Sequence, residues 1–322
     1  MGSRKYLLRK TVHAIATLIF VLAFNFYLFR VMPGDPVQLL ARSQHLSRTD
    51  IAEQIQQLGL DEPLPVQFAV YLRETLTGNL GVSVRSAVPV SELIRDRLWP
   101  TVLLVGTATL LSTVFGLLIG IKGGWRRGSA FDTTSLMSSL VLYSMPEGWL
   151  GMILLILFAG LLGWFPAGGY QSPAELAGLQ HVVDVLNHLF LPCLTLTLGY
   201  IGEYAIIMRS SLLDTVNEDY ITTARAKGVP DRLVRRRHAV PNAFLPTFTL
   251  IFLSFGYVLG GAIVIAVVFS WPGLGQLTYD AINQLDYPVI QAIFLLTSAM
   301  VIAFNLAADL TYGFLDPRVR HA

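Results

Sequence analysis

Long apolar segments alternate with polar ones along the whole chain of 322 residues. The six apolar segments cover approximately residues 11–30, 100–121, 133–165, 189–208, 243–269 and 289–311. A helix of about 20 mostly apolar residues crosses the hydrocarbon core of a bilayer. The pattern therefore predicts an all-α integral membrane protein with six transmembrane helices.

Prolines mark two of these segments. The second opens on Pro100, and proline suits the first turn of a helix. The third is longer than the roughly 30 Å core of a bilayer requires, and the sequence MPEG at 145–148 interrupts it. A proline inside a helix bends or ends it, so we expect a kink or a break at Pro146.

The first segment follows four basic residues, Arg4, Lys5, Arg9 and Lys10. A cleaved signal peptide begins in a similar way. This segment is long, however, and its last part contains the bulky residues Phe24, Phe26 and Tyr27. We therefore expect an uncleaved membrane span.

Basic residues are unevenly distributed among the polar segments. The 209–242 loop contains seven, whereas the 166–188 and 270–288 loops contain none. Cytoplasmic loops carry an excess of Lys and Arg. The distribution places both termini in the cytoplasm, and it places 31–99, 166–188 and 270–288 outside.

The outer segment 31–99 is too long for a simple connection. Its sequence predicts short helices in SRTDIAEQIQQLGL (47–60), AVYLRETL (69–76) and VSELIRDRL (90–98), with a proline-restricted turn before the second. We expect a small, partly helical cap without a core of its own.

Composition and motifs argue against a catalytic domain. Hydrophobic residues make up 53% of the chain, charged residues make up 14%, and the net charge of +2 indicates no attraction to nucleic acid. No phosphate-binding G-x-x-x-x-G-K-[ST], H-E-x-x-H or G-x-S-x-G sequence occurs, and the single cysteine, Cys193, excludes an intrachain disulfide. The sequence predicts neither an enzyme nor a metal site.

Small residues recur at four-residue spacing in two spans. Gly116, Gly120 and Gly124 share one helix face in the second span, and Gly256 and Gly260 repeat the spacing in the fifth. Such faces allow helices to approach closely in lipid. This pattern predicts helix packing and no chemistry.

Ionisable residues in or beside the spans are candidates for a translocation pathway, because charge is costly in lipid. The candidates are Glu147 beside the Pro146 break, Glu203 in the fourth span, and Arg209 at the end of that span. For Glu203, pairing with a polar group of a neighbouring span is an open alternative. Asp309, near the inner end of the sixth span, is expected to be a solvated or capping acid.

The loop between the fourth and fifth spans contains EDYITTARAKG at 218–228. It predicts an amphipathic helix with Glu218 and Asp219 at its positive end, small residues at Ala224 and Ala226, and a left-handed cap at Gly228. A second short helix follows and is expected to end at Pro241. A solvated loop that only fixes topology needs no such helix, so we expect a docking element for a cytoplasmic partner.

These residues carry a resemblance to a known family. The stretch EDYITTARAKG…RRRHAVPNAFLP (218–246) resembles the EAA loop of ABC-importer permeases, in the form found in the dipeptide, oligopeptide and nickel permeases. MPGDP (32–36), LGLDEPLPVQF (58–68), GNLGVSV (78–84), GWFPAGGY (163–170), FSWPGLG (269–275) and LDPRVR (315–320) agree along the whole chain. MPGDP and the long outer segment resemble the B-type subunit, which usually pairs with a C-type permease.

The resemblance implies a type I ABC-importer permease fold. It divides the chain into a cytoplasmic N-terminus with the first span (1–30), an extracytoplasmic helical segment (31–99), a five-span core (100–314) and a cytoplasmic tail (315–322). A coupling loop at 214–246 lies within the core. The residues that the resemblance assigns to this loop are Glu218, Asp219, Tyr220, Ala224, Ala226, Gly228, His238, Asn242 and Pro246.

The resemblance also implies partners in the cell membrane. They are a second permease subunit, two ATP-binding domains or one fused ATPase that would bind the ATP and Mg, and an extracytoplasmic solute-binding lipoprotein. The chain itself would be non-catalytic and hold no cofactor. The implied cargo is di- or oligopeptides; nickel or a metal chelate is the alternative, and a self-sufficient secondary carrier is less favoured.

Overall fold

The computed structural model describes residues 2–31, 62–174, 176–257 and 262–315. Within these ranges the regular structure is helical, and the one β-type contact is an isolated bridge between Val82 and Pro89. This confirms the predicted all-α class. The prediction of a helix at 47–60 falls outside the described residues.

The helices are numbered here in chain order. They are α1 (Gly2–Val31), α2 (Leu64–Leu76), α3 (Val90–Trp125), α4 (Ala130–Ser144), α5 (Glu147–Leu154), α6 (Leu179–Val216), α7 (Asp219–Ala226), α8 (Asp231–Leu233), α9 (Val240–Tyr257), α10 (Ile263–Val268), α11 (Leu274–Gln284) and α12 (Tyr287–Leu315). Two π-helical segments continue α5 and α8, namely Leu155–Leu161 and Val234–Ala239.

Helices α1, α3, α6 and α12 are each long and apolar enough to cross a bilayer. A further candidate is the pair formed by α4 and α5 with its π-helical continuation, which bends by 101°. The backbone at Met145 is extended, and Pro146 immediately precedes α5. This confirms the predicted break at Pro146.

The fifth predicted span corresponds to α9 and α10, and residues 258–261 between them lie outside the description. Helix α10 begins after Ala262, whose backbone is not helical. The prediction that Pro241 ends a helix is wrong, because α9 contains this proline. Pro241 instead follows the π-helical segment at 234–239, and such wide turns are a recognised way of accommodating an interrupted hydrogen-bond ladder.

The second predicted span begins earlier than expected. Helix α3 starts at Val90 and contains Pro100, so the predicted separate helix at 90–98 is its first part. Val90 is fully buried in a cluster with Leu274 and Val289. Packing against distant parts of the chain therefore extends the helix beyond the point that Pro100 suggests.

The glycines of α3 lie against α6, as predicted. A Cβ atom added at Gly116 would lie 2.5 Å from Cβ of Tyr204, and one added at Gly120 would lie 2.6 Å from the carbonyl oxygen of Ala205. Any larger residue would force the two helices apart. The second predicted pair includes Gly260, which lies outside the described residues.

The bundle has two distinct ends. The start of α3 lies at the end called outer here, where Ser83 contacts Asp286 and the amide of Gly169 binds the carbonyl of Phe269. The first contact joins the predicted outer segments 31–99 and 270–288, and the second joins the outer segment 166–188 to the last residue of the fifth predicted span. Trp125, at the other end of α3, contacts the 209–242 loop, and this end is called inner.

Candidate functional site

The predicted docking helix is α7, which begins after the extended residue Glu218 and ends at a left-handed glycine. Gly228 has φ of +73°. Its amide binds the carbonyl of Arg225 at 2.9 Å, and the amide of Val229 binds that of Ala224 at 3.2 Å. These two bonds are a Schellman cap, so the predicted cap at Gly228 is confirmed.

One side of α7 packs on the end of α6. Ile221 is fully buried and Ala224 is nearly so, in a cluster with Met208 and Leu212 of α6 and with Val234. Of the small residues predicted at the surface of this helix, Ala226 is exposed and Ala224 is not. The small size of Ala224 serves close packing within the chain.

The opposite side of α7 is exposed. Among the residues predicted for the coupling loop, Glu218, Asp219, Ala226, Gly228, Asn242 and Pro246 are exposed, and Tyr220 and His238 are partly buried. The Asn242 side chain donates to the carbonyl of His238 at 2.7 Å. The helix therefore presents acidic side chains at its start and a small residue near its end.

A cluster that the sequence analysis missed joins this loop to α3. The indole Nε1 of Trp125 donates to Oδ2 of Asp231 at 3.1 Å. The guanidinium carbons of Arg225 and Arg235 lie 5.6 Å and 5.9 Å from the centre of the Trp125 ring. Arg225 also reaches Asp231 at 3.5 Å. These four residues are called the Trp125 cluster. Tryptophan is common at membrane interfaces, so the sequence gives no indication that these four residues lie together.

Arg209, predicted to line the pathway, forms an ion pair near this inner end. Its Nε and Nη2 donate to the two carboxylate oxygens of Asp132 at 2.5 Å and 2.9 Å. Asp132 is almost fully buried and also accepts from the amide of Gly128. The pair joins α4 to α6, and sequence reasoning missed Asp132.

Of the two predicted pathway acids, Glu203 lies on α6 and Glu147 lies beside it. Glu147 starts α5 and lies beside Gly199 and Tyr200. Glu203, about one turn beyond Tyr200, is partly buried, and among the residues with described side chains it forms no hydrogen bond or ion pair. Glu147 of α5 therefore lies beside the turn of α6 that precedes Glu203. Arg209 lies further along α6, near the inner end.

Two family matches together cover most of the chain. Residues 112–321 match the family described as binding-protein-dependent transport system inner membrane component. Residues 3–105 match the N-terminal family of the same membrane components.

Curated relatives match over nearly their whole length. A probable peptide ABC transporter permease of Sinorhizobium fredii and a glutathione transport system permease of Salmonella typhi are each 39% identical over 316 residues, 98% of this chain and 99% of each relative. An oligopeptide transport system permease of Bacillus subtilis is 35% identical over 317 residues, with the same coverage.

A solved structure of the methionine ABC transporter in an inward-facing conformation shares the fold. The match has a TM-score of 0.53 at 18% sequence identity, and it covers 70% of this chain and 96% of that chain. At this identity the likeness establishes architecture alone.

Proposed function

Because the chain belongs to the family of binding-protein-dependent transport system inner membrane components, we propose that it is the B-type permease subunit of an ATP-driven importer of short peptides. The family and the type I fold agree with the resemblance found in the sequence. Permease subunits of this kind are not catalytic, so the chemistry of ATP hydrolysis belongs to partner subunits.

The cargo is inferred from the relatives. The proteins named above transport peptides, oligopeptides or glutathione by their names, and 39% identity over nearly the full length supports a related cargo. Short peptides are therefore favoured over nickel or a metal chelate. Membership of a family that depends on a binding protein disfavours a self-sufficient secondary carrier.

The single observation that carries the coupling role is the two-sided arrangement of α7. Its buried side packs on α6 through Ile221 and Ala224, and its exposed side carries Glu218, Asp219 and Ala226. We assign the exposed side to a groove of a partner ATPase. Movement of the ATPase would then pass through the buried side into a long membrane helix.

The other coupling residues support this docking surface. Tyr220 belongs to α7, and Gly228 sets the turn that follows it. His238, Asn242 and Pro246 lie where the loop enters α9. All of them lie in one continuous stretch of the chain that runs from α7 into the first turns of α9.

The proposed partners supply the functions that this chain lacks. A C-type permease completes the pathway, two ATP-binding domains or one fused ATPase bind ATP and Mg at the inner end, and a solute-binding lipoprotein delivers cargo to the outer end. This chain holds no cofactor. Both termini lie in the cytoplasm, and the protein resides in the cell membrane.

Transport then requires two states of the bundle. Closure of the ATPases favours one state, and their opening favours the other. Glu147 and Glu203 are proposed to line the pathway that the cargo takes across the membrane, beside the 101° bend of α4 and α5. Arg209 is proposed to lie at its inner mouth, oriented by Asp132.

The direct test is uptake by the complete complex in proteoliposomes. Labelled di- to pentapeptides and labelled nickel are offered with the binding protein, with and without ATP inside. ATP-dependent accumulation of peptides is expected. Accumulation of nickel without peptides would transfer the assignment to a metal cargo, and uptake without ATP would support a secondary carrier.

A further inference from the structure

We propose that Trp125 is a positioning residue that fastens the coupling helix α7 to the end of α3, so that ATPase movement enters two membrane helices together. This inference rests on the proposed function and names a residue outside the coupling loop. Trp125 ends α3, whereas its partners Arg225, Asp231 and Arg235 all follow α6.

The indole makes three directed contacts with the loop. Its N–H donates to Asp231 at 3.1 Å. Arg225 and Arg235 lie within 6 Å of the ring centre, where a guanidinium is attracted to the π-electrons. Arg225 belongs to α7, Asp231 to α8 and Arg235 to the π-helical segment, so one side chain contacts every part of the loop's helical structure.

The body of the indole makes an apolar contact as well. Trp125 packs, partly buried, against the cluster that contains Ile221 of α7 and Leu212 of α6. Helix α7 is therefore attached on two sides, to α6 through buried apolar residues and to α3 through Trp125.

The two supporting helices also move as one unit. Gly120 and Gly124 bring the backbone of α3 against that of α6, where an added Cβ would lie 2.6 Å and 3.1 Å from carbonyl oxygens. Trp125 directly follows Gly124. The residue is thus at the point where a rigid helix pair meets the loop that receives the input.

Tryptophan combines an aromatic face with a hydrogen-bond donor in one side chain. It offers a large ring face for two cations and a donor at the ring edge for Asp231. Phenylalanine keeps a face but has no donor. This difference separates the role of the ring from the role of the hydrogen bond.

The exposure of the cluster points to orientation and not to stability. The side chains of Arg225 and Asp231 are 46% and 63% exposed, and exposed pairs contribute little to folding. Loss of Trp125 should therefore leave the complex assembled and leave the orientation of α7 poorly defined.

The experiment compares peptide uptake with ATP hydrolysis in the same proteoliposomes, using the complete complex. Trp125→Ala is expected to lower peptides imported per ATP hydrolysed by about tenfold, within the range of coupling energies carried by single residues. Trp125→Phe and Asp231→Asn are expected to have intermediate ratios. Trp99→Ala is the matched control, because Trp99 is an exposed tryptophan on the same helix, and its ratio should equal that of wild type.

An unchanged ratio in Trp125→Ala overturns the inference. If that variant does not assemble, Trp125→Phe decides, because it keeps an aromatic ring at this position and removes the donor to Asp231. An unchanged ratio in Trp125→Phe then has the same meaning.

A second measurement is independent of the cargo. Spin labels are placed on cysteines introduced at the exposed positions Arg127 and Lys227, in a Cys193→Ala background of the complete complex. Trp125→Ala should broaden the distance distribution between α3 and α7, whereas Trp99→Ala should leave it unchanged. If wild type imports no peptide but the broadening is found, the proposed cargo fails and the positioning role stands; an unchanged distribution overturns the positioning role itself.

Discussion

Each end of the bundle fastens a polar segment to the spans, and the two ends do so differently. At the outer end, Asp286 accepts hydrogen bonds from the hydroxyl of Ser83 at 2.5 Å and from the amide of Val84 at 3.2 Å. Asp286 is only 4% exposed. At the inner end, the Trp125 cluster holds the coupling loop with a half-buried indole and exposed charges.

The contrast separates a fixed attachment from an adjustable one. A buried carboxylate that is fully occupied by donors cannot release them without leaving polar groups unpaired. An exposed cluster exchanges its contacts for water at little cost. The outer end is therefore suited to a constant frame, and the inner end is suited to receiving movement.

The largest expected effect is the loss of the outer attachment. Asp286→Ala leaves the hydroxyl of Ser83 and the amide of Val84 without this acceptor, whereas the amide of Arg85 keeps the hydroxyl oxygen of Ser83, and we expect a loss of about 3 kcal/mol in the free energy of unfolding. Denaturation of the purified subunit in mixed detergent micelles measures it. Asp96→Ala is the control, because Asp96 is exposed at the same end; an equal loss in both variants would remove the special status of Asp286.

The second effect concerns the ion pair between Asp132 and Arg209. Asp132→Ala leaves the Arg209 guanidinium partly buried without its acceptor, and we expect a loss of about 2 kcal/mol in the free energy of unfolding. In a double-mutant cycle, adding Arg209→Ala should cost less than it does in wild type. Strict additivity in the same denaturation assay would mean that the two side chains do not cooperate.

The third effect separates stability from transport. Gly228→Val places a β-branched residue at a positive φ, and we expect it to cost roughly 1–2 kcal/mol. Membrane insertion should be normal, but peptide uptake should be abolished because the cap of α7 is lost. Gly228→Asn, which tolerates this backbone, should retain uptake.

Gly163→Val is the matched control for this variant. Gly163 also has a positive φ and no atom within 4 Å of an added Cβ, but it lies outside the coupling loop. It should show a similar loss of stability with normal uptake. Uptake lost equally in both valine variants would assign the effect to strain and not to coupling.

The smallest effect is expected at an exposed pair. Lys10 and Asp309 lie 2.9 Å apart, with side chains 31% and 39% exposed, so Asp309 is partly solvated and also forms an ion pair that the sequence did not predict. Such pairs contribute about 0.2–1 kcal/mol. Lys10→Ala should therefore change unfolding only slightly, and a loss as large as that of Asp286→Ala would erase the distinction between buried and exposed attachments.

Features that depend on neighbouring residues were predictable from the sequence. Pro146 breaks a helix because of its own ring, and Gly228 caps one because it has no Cβ. The glycine spacing in α3 likewise follows from the helical repeat. In each case the cause lies within a few residues of the effect.

Features that depend on distant contacts were not predictable. Helix α3 begins at Val90 because of packing with Leu274 and Val289, which lie far away in the sequence. Asp132 and Arg209 are 77 positions apart, and Trp125 and Asp231 are 106 apart. Ala224 looked like a surface residue because its size suits either side of α7, and only the fold decides which side is buried.

The bend between α4 and α5 has a consequence for the surrounding lipid. Each arm of the bent pair, Ala130–Ser144 and Glu147–Leu161, is a helix of 15 residues, about 22 Å long, whereas the hydrocarbon core is about 30 Å thick. Neither arm alone matches that thickness, so acyl chains beside the bend must compress or tilt. If the bend changes between transport states, the work of deforming the bilayer enters their energy difference, and we then expect the transport rate to depend on acyl-chain length.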